Sequence, residues 1–164
     1  MRHLDLVPAG GRVLDVAAGA GRHARLSLDA GFRVTAVDRD ISGLADLAGD
    51  RRVEIIEADL EADGWPLAGL RFEGVIVTNY LWRPILPDIV ASVAPGGVLI
   101  YETFALGNEV HGRPRNPDFL LRRNELLHAA LPELDVIAYR DIFEDRPAPA
   151  VRQMIAARRP MDRG

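Results

Sequence analysis

The residues best suited to chemistry are two glycines and three carboxylates that lie at or near the ends of apolar runs. They are Asp15, Gly19, Gly21, Asp38 and Asp59. Glycines let a backbone turn tightly and approach a ligand without an intervening Cβ atom. Asp38 follows Gly19 by 19 residues, and a carboxylate so placed can accept hydrogen bonds from both hydroxyls of a ribose. Because Asp59 and the backbone N–H of Leu60 would then lie beside an adenine ring, the pattern predicts an adenosine-binding site.

Each of these residues also has a plainer interpretation. A GxG pair forms tight strand-to-helix turns without any ligand, Asp38 can cap a helix or face solvent, and an Asp in a loop often has no function. The combined spacing favours the ribose interpretation over the separate ones.

Strand-like and helix-like stretches alternate along the chain, which is typical of a mostly parallel sheet with helices on both faces. The pattern predicts strands over residues 12–17, 33–38, 53–57, 72–78 and 98–104, and helices over residues 23–30, 41–48, 84–93 and 122–130. Residues 105–118 form a polar loop, and residues 134–143 and 151–158 form a C-terminal hairpin that adds an antiparallel strand. Ligands bind such sheets outside the carboxyl ends of the strands, where the strand order reverses.

Composition excludes several classes of function. The chain has 164 residues with an apolar share of 48% and a net charge of −4, which indicates a globular protein without a basic nucleic-acid surface. It has no cysteine, which excludes disulfides and thiol chemistry, and no lysine, which excludes Schiff bases and a Walker A site. The four histidines lack ligand spacing, so we expect no metal. No apolar run suits a signal peptide or a membrane helix, so we expect a cytoplasmic protein without membrane or nucleic-acid partners.

Two cofactors suit the glycine turn. The string GAGRHA at residues 19–24 matches the G-x-G-x-x-G/A pattern of dinucleotide sites. Asp15 would repel a pyrophosphate at short range, whereas it suits a cationic amino group or a sulfonium. Asp59 adds a further acidic group, and the common Tyr/Lys dehydrogenase pair requires a lysine. These features favour a sulfonium cofactor over a nicotinamide dinucleotide.

Four motifs resemble those of class I S-adenosylmethionine-dependent methyltransferases over nearly the whole chain. They are VLDVAAGAGRHA (13–24), VDRD (37–40), EADL (57–60) and VAPGGVLIYETF (93–104). The resemblance implies an α/β fold with a Rossmann-like, doubly wound sheet of seven strands, in the order 3-2-1-4-5-7-6 with strand 7 antiparallel. It implies S-adenosylmethionine as cofactor, and the motifs assign its binding to Asp15, Ala17, Gly19, Gly21, Arg22, Asp38, Arg39, Asp59 and Leu60. A weaker resemblance to tellurite-resistance-type and thiopurine-type enzymes implies a small-molecule acceptor.

The ends of the fourth and fifth strands should hold the reacting groups. Asn79 resembles the family's fourth-motif position and is assigned to the methionine end of the cofactor. Tyr80 and Glu102 are the candidate general bases, which hydroxyl and protonated amine acceptors need more than a thiolate does. The sequence NYLW departs from the (N/D)PPY pattern of nucleic-acid and protein-amide nitrogen methyltransferases. The alternative is that Tyr80 and Glu102 only pack or bind neighbouring backbone.

Three arginines and one aromatic residue are candidates for acceptor binding. Trp82 would wall the pocket, and Arg83, Arg113 and Arg115 would recognise an anionic acceptor through forked hydrogen bonds. The loop over residues 105–118 is long enough for a lid. The plainer interpretation makes Trp82 a core residue and the loop a solvated surface segment.

About 11 residues precede the first strand. A single methyltransferase-type domain over residues 1–164 would therefore largely lack the N-terminal helices that cover the acceptor site in the resembled family. Closure would fall to the 105–118 loop, to a partner chain or to sequence missing from this form. Two alternatives stay open, namely a non-catalytic or truncated cofactor-binding module that works with a partner and, less favoured, an NAD(P)-dependent oxidoreductase. A homo-oligomer and the identity of the acceptor also stay open.

Overall fold

All strands of the computed structural model, which describes residues 2–161, belong to one seven-stranded sheet. The strands are β1 (Arg12–Val16), β2 (Arg33–Asp38), β3 (Val53–Glu57), β4 (Phe72–Thr78), β5 (Val93–Phe104), β6 (Asp135–Glu144) and β7 (Ala150–Arg158). Their order is β3-β2-β1-β4-β5-β7-β6. Strands β1 to β5 pair in parallel, and β7 runs antiparallel to both β5 and β6. The order and the C-terminal hairpin predicted above are confirmed.

Helices cover both faces of the sheet, which explains why β1, β2 and β4 are mostly continuous runs of buried residues rather than alternating patterns. The helices are α1 (Arg22–Asp29), α2 (Leu86–Ala91) and α3 (Glu125–Ala130). On one face, α2 and α3 pack on the largest apolar cluster, to which they contribute Ile89 and Leu126. On the other face, α1 packs on β2 through Ala24 and Leu28.

The second face is only partly covered beyond β4. The 3-10 turn Leu4–Leu6 packs there on an apolar cluster that includes Ile76 and Ile100. Further along the same face, Ala138, Met154 and Ala156 line an open cavity instead of packing under a helix. This uncovered area adjoins the carboxyl ends of β4 and β5.

Several predicted boundaries are wrong. The segment expected to be a helix over residues 41–48 is a 3-10 helix, Ile41–Leu47, capped by the Asp40 side chain. The segment over residues 84–93 is the 3-10 turn Arg83–Ile85 followed by α2, because Pro87 lacks the N–H that a continuous helix would use. The last helix starts only at Glu125, after Asn124 with a φ of 58°.

Strand β5 begins at Val93, five residues before its predicted start at Val98. Phe72 pairs with Val93, and the register then shifts so that Gly74 pairs with Val98. Residues 94–97 therefore form an irregularity inside a longer strand. Among residues 2–161, no helix is long and apolar enough to cross a membrane.

Candidate functional site

The turn after β1 is open toward the carboxyl edge of the sheet. Ala17, Gly19 and Gly21 have φ values of 53°, 53° and 71°, which lie in the left-handed region that favours glycine. A Cβ on Gly21 would lie 2.4 Å from Cδ2 of Leu44, so only glycine fits there. A Cβ on Gly19 would meet no atom within 4 Å. Gly19 therefore faces open space at the strand ends, where a ligand can approach the backbone.

Asp38 ties this turn to the end of β2. Its Oδ2 accepts a hydrogen bond from the N–H of Gly19 at 2.7 Å, and its Oδ1 accepts one from the N–H of Asp40 at 2.9 Å. Each carboxylate oxygen has a second lone pair. Asp38 thus positions the turn and still has acceptor capacity for two hydroxyl groups.

Arg25 also holds the turn, a role that the sequence patterns did not reveal. Its guanidinium donates to the carbonyl of Ala20 and, at 3.0 Å, to the carbonyl of Gly43, and it pairs with Asp46. Arg25 follows Gly21 by one helical turn, and helical side chains point back toward the N-terminus. That spacing is the sequence feature from which its contact with the turn could have been inferred.

A cavity of about 340 Å³ opens beside the turn, and we call it the strand-end cavity. Its lining brings together five predicted cofactor residues, which are Ala17, Asp38, Arg39, Asp59 and Leu60. Four further residues complete the wall. Tyr80 was predicted as a candidate base, whereas Ala58, Glu61 and Phe119 were not among the predicted site residues. Phe119 belongs to the segment after β5, so no spacing within a motif could have placed it here.

The carboxylate of Asp59 caps a turn at the edge of this cavity. Its Oδ1 accepts hydrogen bonds from the N–H groups of Glu61 at 2.9 Å and Ala62 at 3.3 Å. These contacts fix the direction of the side chain and leave Oδ2 for a ligand.

Asp15 is the most unusual ionisable group at the strand ends. It is 2% exposed, and its Oδ2 has no hydrogen-bond partner among residues 2–161. Burial, with a smaller contribution from the charge of Asp38, raises the pKa of Asp15 to about 7. A buried carboxylate oxygen without a partner costs free energy unless a donor or cation reaches it. An ionised Asp15 is therefore uncompensated among the described residues.

Tyr80 faces the strand-end cavity, and its hydroxyl is buried without a hydrogen-bond partner among the described residues. Burial and the nearby charges of Glu61 and Asp59 raise the pKa of Tyr80 above its usual range. The phenol consequently stays protonated near neutral pH and is a better hydrogen-bond donor than base. The backbone at this position is fixed by Tyr101, whose hydroxyl donates to the Tyr80 carbonyl at 2.9 Å.

Asn79 and Glu102 meet at a third residue, Arg152 of β7. The Nη1 of Arg152 donates to Oδ1 of Asn79 at 2.7 Å and to Oε1 of Glu102 at 3.1 Å. The guanidinium also stacks 4.1 Å from the centre of the Phe104 ring. Asn79 and Glu102 were predicted for the site, whereas Arg152 was not. Arg152 lies here because β7 pairs with β5 in the sheet. This pairing brings together Arg152 and Glu102, which are 50 positions apart in the sequence.

Arg22 lies on the other side of the strand ends, at a second cavity, also of about 340 Å³, which we call the sheet-face cavity. Thr78 and Glu102 line it as well. The Nη2 of Arg22 lies 2.9 Å from Nε2 of His23. A guanidinium only donates, so Nε2 accepts. Burial and the adjacent Arg22 lower the pKa of His23 to about 4, which keeps the ring neutral.

The contacts of Arg83 and Trp82 do not favour the predicted acceptor-binding role. Arg83 pairs with Glu125 at 2.7 Å and donates to the carbonyls of Asp118 and Leu120 at 2.6 and 2.8 Å. Its donors therefore serve to hold α3 and the segment before it. Trp82 packs against the largest apolar cluster, as its plainer interpretation supposed.

Arg113 and Arg115 are exposed, and they line neither the strand-end cavity nor the sheet-face cavity. Their loop contains the 3-10 turns Asn108–Val110 and Pro117–Phe119, so it is more ordered than a polar loop suggests. The structure thus does not bring these arginines to the strand ends. Among residues 2–161, no three His, Asp or Glu side chains are grouped to hold a metal ion.

Neither a protein-family model nor a curated protein matches the sequence. Solved structures do match the fold. TehB from Haemophilus influenzae is 18% identical in sequence, and its structure matches with a TM-score of 0.71. The match covers 91% of this chain and 57% of TehB, so this chain spans little more than half of the length of TehB. An S-adenosylmethionine-dependent methyltransferase from Mesorhizobium loti is 17% identical with a TM-score of 0.73 over 94% of both chains.

A third structure was solved with a ligand. It is the 1,6-didemethyltoxoflavin-N1-methyltransferase of Burkholderia thailandensis, with bound 1,6-didemethyltoxoflavin and S-adenosylhomocysteine. It is 20% identical with a TM-score of 0.69 over 93% of this chain and 72% of its own. Together with the strand order, these structures show the fold of the chain, which is the Rossmann-like fold also seen in class I S-adenosylmethionine-dependent methyltransferases.

Proposed function

We propose that the protein is a methyltransferase that uses S-adenosylmethionine and acts on a small-molecule acceptor. The observation that carries the proposal is the buried, unpartnered Oδ2 of Asp15 at the foot of an open glycine turn. S-Adenosylmethionine carries an ammonium and a sulfonium, either of which offsets the cost of an ionised Asp15. A dinucleotide would bring a pyrophosphate to the same place and would be repelled.

The residues around the turn fit the rest of the cofactor. Asp38 has acceptor capacity for the ribose hydroxyls, and Asp59 has a free oxygen beside the strand-end cavity for the adenine amine. Phe119 supplies an aromatic wall for the base. The Tyr80 hydroxyl, protonated and without a partner, is a donor toward the same ligand.

Bound S-adenosylmethionine supplies an activated methyl group, whose C–S bond breaks as an acceptor lone pair forms the new bond in line with it. The protein contributes mainly alignment, which can supply about 7–11 kcal/mol of the barrier reduction. Arg152 fixes Asn79 and Glu102 at the ends of β4 and β5, where the acceptor should sit. Glu102 is the remaining candidate to take a proton from an acceptor that carries one, because Tyr80 is not suited to be a base.

Titration calorimetry tests the proposal directly. We expect S-adenosylhomocysteine to bind and NADH not to bind. A screen of small-molecule hydroxyl, amine and thiol acceptors with S-adenosylmethionine then measures formation of S-adenosylhomocysteine. Binding of NADH in place of S-adenosylhomocysteine would refute the methyltransferase proposal. Binding of S-adenosylhomocysteine without turnover of any acceptor would favour a non-catalytic binding module.

A further inference from the structure

The sheet-face cavity has an apolar floor made by cross-strand neighbours. Ile100 of β5 pairs with Ala156 of β7, and Ala156 pairs with Ala138 of β6. All three line the cavity, together with Met154 in the next row. Two small residues side by side leave a shallow depression over three strands that a flat apolar group can fill.

The rim of this cavity is rich in arginine. Four arginines line it, namely Arg2, Arg22, Arg140 and Arg146. None of the four makes an ion pair with a carboxylate of residues 2–161, whereas Arg25, Arg52, Arg83, Arg152 and Arg159 all do. Four arginines that have no ion pair among residues 2–161 therefore lie around one opening of a molecule whose net charge is −4.

The acidic residues at the cavity do not cancel this charge. Glu102 and Glu144 also line it. Glu102 is already paired with Arg152 at 3.1 Å, which leaves Glu144 facing the four guanidinium groups. His23 adds a neutral ring, because its lowered pKa keeps it uncharged near neutral pH.

The position of the cavity links it to the reaction. Its upper end is formed by Thr78 and Glu102, which pair across β4 and β5. Asn79 follows Thr78 directly and is bridged to Glu102 by Arg152. A molecule lying on the apolar floor would thus have one end at the carboxyl ends of β4 and β5, which is the proposed methyl site, and the other near Arg140 and Arg146.

We infer that the sheet-face cavity is the acceptor site and that it selects an amphipathic anion, with an apolar body and a carboxylate or phosphate group. The apolar body lies on Ile100, Ala138 and Ala156, and the anionic group pairs with the rim arginines, whose forked donors match both oxyanions. This inference rests on the proposed function, because the acceptor role follows from the neighbouring methyl site.

Binding to the protein saturated with S-adenosylhomocysteine tests the charge preference. The probes share one ring system and are naphthoate, naphthyl phosphate and the neutral naphthamide, each measured by titration calorimetry. We expect one or both anions to bind, and we expect the amide to bind about tenfold more weakly or worse, since it lacks a charge-assisted hydrogen bond. Preference for naphthoate assigns a carboxylate acceptor, and preference for naphthyl phosphate assigns a phosphate acceptor.

The double variant Arg140→Glu, Arg146→Glu should weaken the favoured anion by about tenfold or more and leave the amide nearly unchanged. Arg51→Glu is the matched control, because Arg51 is exposed and lines neither cavity. Ala138→Leu fills the floor and should weaken all probes. If the double variant does not fold, the single variants Arg140→Gln and Arg146→Gln replace it.

The two proposals fail in different ways. Three outcomes would each overturn the assignment of the cavity. They are equal affinity for the anions and the amide, loss of anion binding in Arg51→Glu as well, and no binding of any probe. None of those outcomes bears on the proposed function, which is tested by the affinity for S-adenosylhomocysteine measured on the same samples. Failure of S-adenosylhomocysteine to bind would instead overturn the proposed function.

Discussion

Asp15 shows at the scale of a single residue how a site can conflict with stability. The carboxylate is buried and one oxygen lacks a partner, so the fold favours its neutral form and the pKa rises to about 7. A cationic ligand favours the charged form instead. Two predictions follow from these opposite preferences, one for binding and one for folding.

The affinity for S-adenosylhomocysteine should depend on the ionisation of Asp15. The ligand keeps its ammonium over this range, so binding requires the carboxylate to be charged. Between about pH 8 and about pH 6 the affinity should fall about tenfold, because most of the Asp15 population is protonated below a pKa near 7. Calorimetry across this range measures the profile. Asp15→Asn should bind more weakly with a flat profile, and a flat profile in the unmodified protein would argue against contact between Asp15 and the ammonium.

The same group should lower the stability of the ligand-free protein as pH rises. The pKa of Asp15 is raised in the fold, so the stability that its protonated form contributes is present below about pH 4 and is lost as pH rises through about 7. Asp15→Asn removes this loss, and we expect it to raise the free energy of unfolding at about pH 8 by about 1–3 kcal/mol. Urea unfolding measures the change. A less stable Asp15→Asn protein at that pH would show that the ionised carboxylate is already compensated.

At the scale of elements, the glycine turn depends on α1 and on the 3-10 helix Ile41–Leu47. Arg25 of α1 joins the Ala20 carbonyl of the turn to the Gly43 carbonyl of the 3-10 helix. A Cβ on Gly43 would lie 2.9 Å from the Cα of Ala20, so the two segments are in direct contact. The shape of the glycine turn is therefore set by a side chain that lines neither cavity.

Arg25→Ala should weaken S-adenosylhomocysteine binding about threefold to tenfold, because the turn loses the donors that hold its carbonyl. Asp46→Ala is the matched control. It removes the exposed ion pair of Arg25 but leaves both carbonyl contacts possible, and exposed pairs contribute little. Calorimetry on both variants separates the two contributions. An equal loss in Asp46→Ala would mean that the ion pair, and not the contact with the turn, controls affinity.

At the scale of the whole molecule, long-range pairs join segments that motifs treat separately. Arg83, which follows β4, holds Glu125 at the start of α3 and the carbonyls of Asp118 and Leu120. This contact fixes the segment that carries Phe119 to the strand-end cavity. Arg83, which was predicted to bind an acceptor, thus joins the segment before α2 to the start of α3.

Arg83→Met should lower the free energy of unfolding by about 2 kcal/mol, because a half-buried Glu125 loses its partner. Urea unfolding measures this loss. In the double variant Arg83→Met, Glu125→Leu the loss should be smaller, since no carboxylate is left unpaired. Acceptor turnover adds a second readout: a raised KM in Arg83→Met at unchanged stability would restore the acceptor-binding interpretation.

The sequence by itself predicted most of the local elements, and its resemblance to a known family implied the strand order that the structure has. Five of the residues that the motifs assigned to the cofactor, Ala17, Asp38, Arg39, Asp59 and Leu60, line one cavity. These predictions were possible because turns, caps and buried strands depend on residues close together in the chain. Only the tertiary structure decided the partners of Arg83, Arg152 and Tyr80, and it alone revealed the sheet-face cavity. Those contacts depend on which strands become neighbours. Because β7 lies between β5 and β6, side chains that are 50 residues apart in the sequence come into contact, and no local sequence pattern predicts which ones they are.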